Sequence, residues 1–483
     1  MTEYLEKKDM TKEQLELHNR GFSFDTDGKI VSFNGNFFAN YIMEYYHIIY
    51  SSDSNFYEFV SGVWYKMDEN ELKSFLYYEL QEPREGVWST RREKEYLEAM
   101  KRLLFQSTEF NKRRHLINMK NGMFDTIRLK LIPHDPKYLS TIQIPVEYDK
   151  VAKCPRFDLY LEEVFEGDTE RITKASEWYG YCISTETKAQ KALVLFGGGG
   201  NGKGVYTDIL SKIVGDDNLS HVALNELHKS FSRATLFGKT INLSTENEMG
   251  GKSLNTQYFK AITGEDTINA EFKNQHVFSF QPTVKMVISM NNLPHTKDKS
   301  NGYYRRLDFL LFDRHFSEKD GDPDLKKKLD AELSGIFNLA IRGLVRLRNN
   351  GYKFSQCVSS DKVIEEYKKE LNPIITFFDD TLEVADEDHR EDNKVVYKAF
   401  KCWADNNGHK GYANVSPQRF WREFEAEAKN RKWTTTSGRS NKFRYHTGIK
   451  LTEDESSTSQ RRKVVKKHVR SNATSELFDE DED

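Results

Sequence analysis

Cysteine is scarce, with four residues in 483 (Cys154, Cys182, Cys357 and Cys402) and no CxxC pair among them. That excludes a disulfide framework and a cysteine-rich zinc site, and the thiols read as those of a reduced, cytoplasmic protein. Proline is also rare, at 10 residues; with 37% hydrophobic residues, the chain is neither disordered nor fibrous in composition. No apolar run approaches the ~20 residues that span a bilayer. The opening MTEYLEKKDMTKEQLELHNR is charged where a signal peptide would be apolar. Membrane and secretory classes drop out. A dominant charge is missing too, since 72 Lys and Arg stand against 75 Asp and Glu. Polarisation is confined to the last stretch, where RRKVVKKHVR (461–470) is basic and DEDED (479–483) acidic. What is abundant is aromatic: 32 Phe and 24 Tyr. At roughly 150 residues per domain, this length suggests about three domains.

The expected fold class is α/β, with an α+β N-terminal domain over 1–150. There, FYEFVSGVWYKMDENELKSFLYYEL (56–80) predicts a strand pair, an Asp68 cap and a helix with Leu72, Phe75, Leu76 and Leu80 on one face. HLINMKNGMFDTIRLKLIPHDP (115–136) predicts two strands around an Asn121-Gly122 turn. Over 151–350, helices near 156–166 and 170–183 precede a buried strand, Ala192–Phe196. A strand at 240–245, a helix near 254–263, a strand at 283–290 and a helix over 330–348 ending at Gly351 complete an α/β pattern around a central sheet. Residues 351–370 read as a connector. In 371–453, a helix over 393–408, a Ser416-Pro417 helix start and two strand-like pieces around SGRSN predict a winged-helix-like domain. The polar remainder, 454–483, reads as a disordered tail.

One motif stands out. Gly197-Gly198-Gly199-Gly200-Asn201-Gly202-Lys203-Gly204 fits G-x4-G-K, follows the buried strand and opens an amphipathic helix. Successive glycines let backbone N–H groups curl around phosphate oxygens, and a helix N-terminus adds partial positive charge. Lys203 is placed to reach β- and γ-phosphates, so ATP is the expected ligand. Gly204 stands where a Ser or Thr hydroxyl would ligate magnesium, and Thr207 lies almost a turn further on. A water in the vacant position, with carboxylates elsewhere holding the ion, is the expected arrangement.

Further on, Thr240–Glu248 (TINLSTENE) reads as a strand ending in two acids. Glu246 is assigned mainly to magnesium and Glu248 mainly to polarising the attacking water, although either residue can do both. A later strand ends at Asn291, whose amide suits orienting that water or sensing the γ-phosphate. Arg305 and Arg306 precede an apolar strand and read as a surface pair, an ion-pair site or an arginine finger supplied to a neighbouring subunit. Ile268–Phe278 reads as a β-hairpin with Lys273-Asn274 near its tip, Phe272 in its base and His276 as a further contact.

The order GGGGNGKG, STENE, ITGEDTINAEFKNQHVFSFQPTVKMVISMNNLP and NGYYRRLDF resembles the superfamily III helicases. More closely, it is similar to the phage and plasmid primase–helicase family with its poxvirus-type helicase domain. LINMKNGMFD, PHDP and IPVEYDKVAKCPRFDLYLEEVF extend the resemblance upstream. The resemblance implies an AAA+ ATPase ring, usually hexameric, using ATP and Mg2+ to translocate on single-stranded DNA and unwind duplex, typically 3′ to 5′. It makes Lys203 the phosphate lysine, Glu246 and Glu248 the paired acids, Asn291 the sensor and Arg306 the finger, with Arg305 beside it. Lys273, in the hairpin, would project into the pore. It also implies a mobile-element replication protein or initiator in the cytoplasm of a host cell. No paired-Asp polymerase strand accompanies it, so a primase would be a separate partner. Duplex DNA is expected on the C-terminal domain, through Arg419, Arg422 and Lys429 on one helix and Arg439, Lys442 and Arg444 on the wing. Three classes stay open: a DNA helicase, an NTP-dependent switch without unwinding, and a DNA-binding scaffold whose nucleotide supports assembly.

Overall fold

The computed structural model describes residues 4–245, 253–274, 276–317 and 321–452; the tail expected over 454–483 lies outside them. The chain divides into two compact units, 1–292 with 305–360 and 293–304 with 361–483.

The first unit opens with an aromatic α+β layer. Helix Lys12–Asn19 starts with a reciprocal cap: the Thr11 hydroxyl accepts from Gln14 N–H, and the Gln14 side chain accepts from Thr11 N–H. As the sequence predicts, strands Phe56–Val60 and Val63–Lys66 pair antiparallel, and the Asp68 carboxylate caps helix Glu69–Gln81 through Asn70 N–H. Leu72, Leu76 and Leu80 bury with Phe22, Phe38 and Tyr96 in a core of their own. Strands Leu116–Met119 and Gly122–Asp125 do flank the Asn121-Gly122 turn, but their side chains go elsewhere. Ile117, Met119 and Phe124 join Phe157, Trp178 and Phe337 in the core of the central sheet.

That sheet is parallel throughout. Its strands lie in the order Leu219–Ser220, Ile241–Ser244, Lys285–Met290, Ala192–Phe196, Leu307–Leu311. Runs such as ALVLF and KMVISM, apolar almost throughout, are what a sheet buried on both faces requires. Helices Thr169–Cys182 and Leu333–Asn349 pack so closely that a Cβ on Gly343 would lie 2.0 Å from the Ser176 carbonyl. The helix predicted over 330–348 is present as Leu333–Asn349, and a separate short helix, Leu325–Asp330, precedes it. Between them Glu332 turns its carboxylate to the N–H groups of Arg156 and Phe157, capping helix Pro155–Val164. Such a long-range cap has no local signature.

One buried ion pair ties a helix to the sheet. Lys174 Nζ lies 3.0 Å from Asp308, whose other oxygen accepts from Trp178 Nε1 at 2.7 Å; both charged side chains are about 95% buried. Asp308→Ala strands the ammonium in an apolar layer. It is expected to cost about 3–5 kcal/mol of stability, read as a lower urea midpoint with unchanged slope.

The connector predicted over 351–370 contains a helix, Val358–Leu371, with Val363, Tyr367 and Leu371 buried at four-residue spacing. In the second unit, helices Pro373–Thr381, Asn393–Asn406 and Pro417–Asn430 enclose Phe377, Phe400, Trp403, Phe420 and Phe424. Ser416 caps the last helix through Arg419 N–H, with Pro417 in the first turn. Strands Ser437–Arg439 and Arg444–Thr447 form an antiparallel hairpin, and Arg390–Asp392 adds a third strand beside it.

Candidate functional site

The glycine loop leaves the sheet at the C-terminal end of strand Ala192–Phe196. Gly197 takes φ 154°, and a Cβ there would lie 2.0 Å from the Phe312 carbonyl. Gly202, at φ 91°, sits at the start of helix Lys203–Val214. The loop is tied down from several sides. Asn201 Nδ2 donates to Phe312 O (2.8 Å), Tyr160 Oη to Gly202 O (2.9 Å) and Phe316 N–H to Gly200 O (2.8 Å). The His315 ring lies against Gly199 O, with Nδ1 at 3.1 Å.

Inside this frame, Lys203 is 7% exposed and donates to Gly197 O (2.7 Å), Gly198 O (2.5 Å) and Asn201 Oδ1 (3.1 Å). Burial lowers its pKa from the ordinary lysine value. At Gly198, Gly199 and Gly204 a Cβ would meet nothing within 4 Å. Open space beside a fixed lysine and a twelve-residue helix N-terminus fits a phosphate group.

Thr207 takes no part, because its hydroxyl bonds back to Lys203 O and Gly204 O. Glu246 and Glu248, assigned to magnesium and to water, lie outside the described residues, as does Gln275. Among the described residues, no three His, Cys, Asp or Glu side chains converge as a metal site.

Register brings Asn291 to the same edge as the loop. Phe196 lies opposite Met290, Gly197 N–H reaches Met290 O at 3.4 Å, and the exposed Asn291 follows directly. Ser244, at the end of its strand, lies opposite Ile288. Arg305 and Arg306 are at the opposite edge: Arg306 O accepts from Ala192 N–H at 2.7 Å, one five-residue strand away from the loop. That is about 16 Å from the chain's own phosphate loop. The two arginines also differ. Arg305 is exposed, whereas Arg306 is 9% exposed, with its guanidinium beside Gly264 and Asp266.

The hairpin is present as Ile268–Ala270 paired with Phe278–Phe280. Lys273, Asn274 and His276 are exposed between the strands, and Asn274 takes φ 63°. Phe272, expected in the hairpin base, is instead 39% exposed and stacked on Phe278 at 5.1 Å. In the second unit, Arg419 is engaged by Glu423 (2.8 Å), which also holds Lys299 (3.1 Å). Arg422 and Lys429 are exposed on the same helix, and Arg439, Lys442 and Arg444 cluster at the hairpin.

Tyr160, Phe312 and His315 support the loop without any mark of that role in the sequence. Tyr160 reads there as one more apolar helix position, and residues 312–316 meet the loop only because two distant strands are neighbours.

Residues 39–166 match the D5 N-terminal-like family, 195–306 a family of unknown function (DUF5906), and 369–457 the poxvirus D5 protein-like family. The chain is 26% identical over 321 residues to a candidate helicase of Acanthamoeba polyphaga mimivirus, covering 61% of this chain and 33% of that one. It is 22% identical over 371 residues to a candidate helicase of Invertebrate iridescent virus 6, covering 66% and 37%. These matches support a D5-like primase–helicase family. The chain spans about a third of the length of the curated relatives it matches. The D5 N-terminal-like match ends before the glycine loop, and the poxvirus D5-like match takes in the three-helix core of the second unit. The solved NrS-1 C-terminal region, 13% identical, covers 85% of this chain and 97% of its own with a TM-score of 0.52, a likeness of fold. Among the described residues, no helix is long and apolar enough to cross a membrane.

Proposed function

We propose that the chain is an ATP-driven DNA helicase of the superfamily III, AAA+ type, working as a ring, hexameric in the family it resembles, in the replication of a mobile element. The observation that carries this reading is the glycine loop, braced by Asn201, Tyr160 and Phe316 around a buried Lys203. Phosphate oxygens replace the loop carbonyls as partners of the Lys203 ammonium, and the helix N-terminus beyond Gly202 adds its dipole. Glu246 is the residue that would hold magnesium, which would supply charge neutralisation at the phosphates of ATP. Glu248 accepts the proton of the attacking water, and Asn291 orients that water from the neighbouring strand end. Arg305 and Arg306, a strand length from their own loop, serve the site of the next subunit. The candidate helicases among the relatives support the same reading, and 3′-to-5′ movement and a separate primase partner belong to it.

Lys273 is the contact to single-stranded DNA, because an ammonium on a flexible stem follows phosphates without reading bases. A strand-displacement assay tests the reading. The wild-type chain should separate a forked duplex only with ATP and Mg2+. Lys273→Ala should keep basal hydrolysis and assembly within about twofold, while unwinding and DNA-stimulated hydrolysis fall at least about tenfold. ATP hydrolysis without any strand displacement by the wild type would make it a nucleotide switch instead.

A further inference from the structure

The second unit holds a cavity of about 490 Å³ that no step of the helicase cycle uses. Its walls come from the start of helix Asn393–Asn406 (Lys394, Tyr397), the start of helix Pro417–Asn430 (Trp421) and the hairpin tip from Arg439 to Arg444. Among the described residues, no carboxylate lines it. Lys394, Arg439, Lys442 and Arg444 do, and among the described residues none of the four is in an ion pair. Arg439 and Arg444 are moreover direct cross-strand partners, an arrangement of like charges that costs stability unless an anion lies between them.

The cations surround aromatic walls that are already held in place. The Trp421 ring stacks on His446 at 4.2 Å and an interplanar angle of 5°, which fixes its plane. Tyr397 Oη donates to Val415 O at 2.5 Å. The Ser440 hydroxyl accepts from Lys442 N–H and Phe443 N–H, closing the tip that presents Phe443. The volume falls in the range of pockets for small organic ligands. Aromatic faces with a rim of unneutralised cations suit a planar base attached to a phosphate chain.

We infer that this cavity takes an unpaired base of a DNA strand, with the base against Tyr397, Trp421 and Phe443 and the flanking phosphates on Lys394, Arg439, Lys442 and Arg444. A paired duplex presents its bases edge-on and stacked on one another, so it can engage the cations but not the aromatic faces. The site shares Arg439, Lys442 and Arg444 with the duplex-binding surface expected from sequence but not its helix residues, since Arg419 is held by Glu423 and neither Arg419 nor Arg422 lines the cavity. It goes beyond the helicase reading, because it needs neither the glycine loop nor nucleotide turnover.

The test is ultraviolet cross-linking of the full chain to a single-stranded oligodeoxynucleotide carrying 5-iodouracil, with the cross-linked peptides mapped by mass spectrometry. Cross-links should fall on the peptides of Tyr397, Trp421 or Phe443, and persist in Lys203→Ala. They should fall about tenfold in Phe443→Leu, which keeps apolar volume but removes the ring, and survive in Phe443→Tyr. Arg444→Ala should lower both the yield and its salt dependence. A fully paired duplex should compete at least about tenfold less well than the single strand. Cross-links confined to other parts of the chain, an unchanged yield in a folded Phe443→Leu, or equal competition by duplex would each overturn the assignment. Failure of strand displacement by the wild-type chain would leave these cross-links intact, so the two readings fall separately.

Discussion

Alanine at Lys203 is expected to bring ATP hydrolysis down by about a hundredfold to a thousandfold, the scale of losing one preorganised charge at a transition state. The ammonium sits within 3.1 Å of three loop oxygens, so no other described side chain occupies its position. Because alanine also removes the buried stem, the comparison is with Lys203→Met, which loses the ammonium but retains the stem. Phosphate release measures turnover, and a fluorescent ATP analogue measures binding. A folded Lys203→Met chain that hydrolyses ATP at the wild-type rate would remove the glycine loop from the chemistry.

A loss of about 10³-fold or more is expected on removing an arginine that acts across a subunit interface, and here the geometry makes the test discriminating. Both arginines lie a strand length from their own loop, so complementation is required if either is a finger. Subunits carrying Arg305→Ala, mixed with subunits carrying Lys203→Ala, should recover hydrolysis, because some interfaces then join two intact halves. The sequence pattern favours Arg306 for this role, while its burial beside Asp266 favours the exposed Arg305. Arg306→Ala separates the two: a lowered melting temperature without complementation marks a structural arginine, and complementation marks the finger. Absence of recovery for both, with mixed rings demonstrated, would end the shared-site account.

Much of the fold is legible in the order of the amino acids. Strand Ala192–Phe196 lies where its uninterrupted apolar run puts it, and the Asp68 and Ser416 caps are made by the side chains that signal them. These are local effects, in which a residue and its near neighbours along the chain decide the outcome. The helix over 358–371 is disguised although its periodic residues are in plain sight, because Ser359-Ser360 and the charged run EEYKKE read as linker. The break at Ala331-Glu332 carries no local signal at all. It serves the N-terminus of a helix some 175 residues away, as the Glu332 bonds to Arg156 and Phe157 show.

By itself the sequence determined the glycine loop, its lysine and the succession of strands and helices around it, because each rests on backbone freedom, burial and capping over a few residues. Tertiary structure decided which of those pieces meet. Parallel register sets Asn291 level with Gly197 and sends Arg305 and Arg306 to the far edge. Folding of the second unit gathers Lys394, Trp421 and Arg444 around one cavity from three separate stretches. Such meetings depend on sheet order and packing between distant segments, which spacing along the chain does not encode.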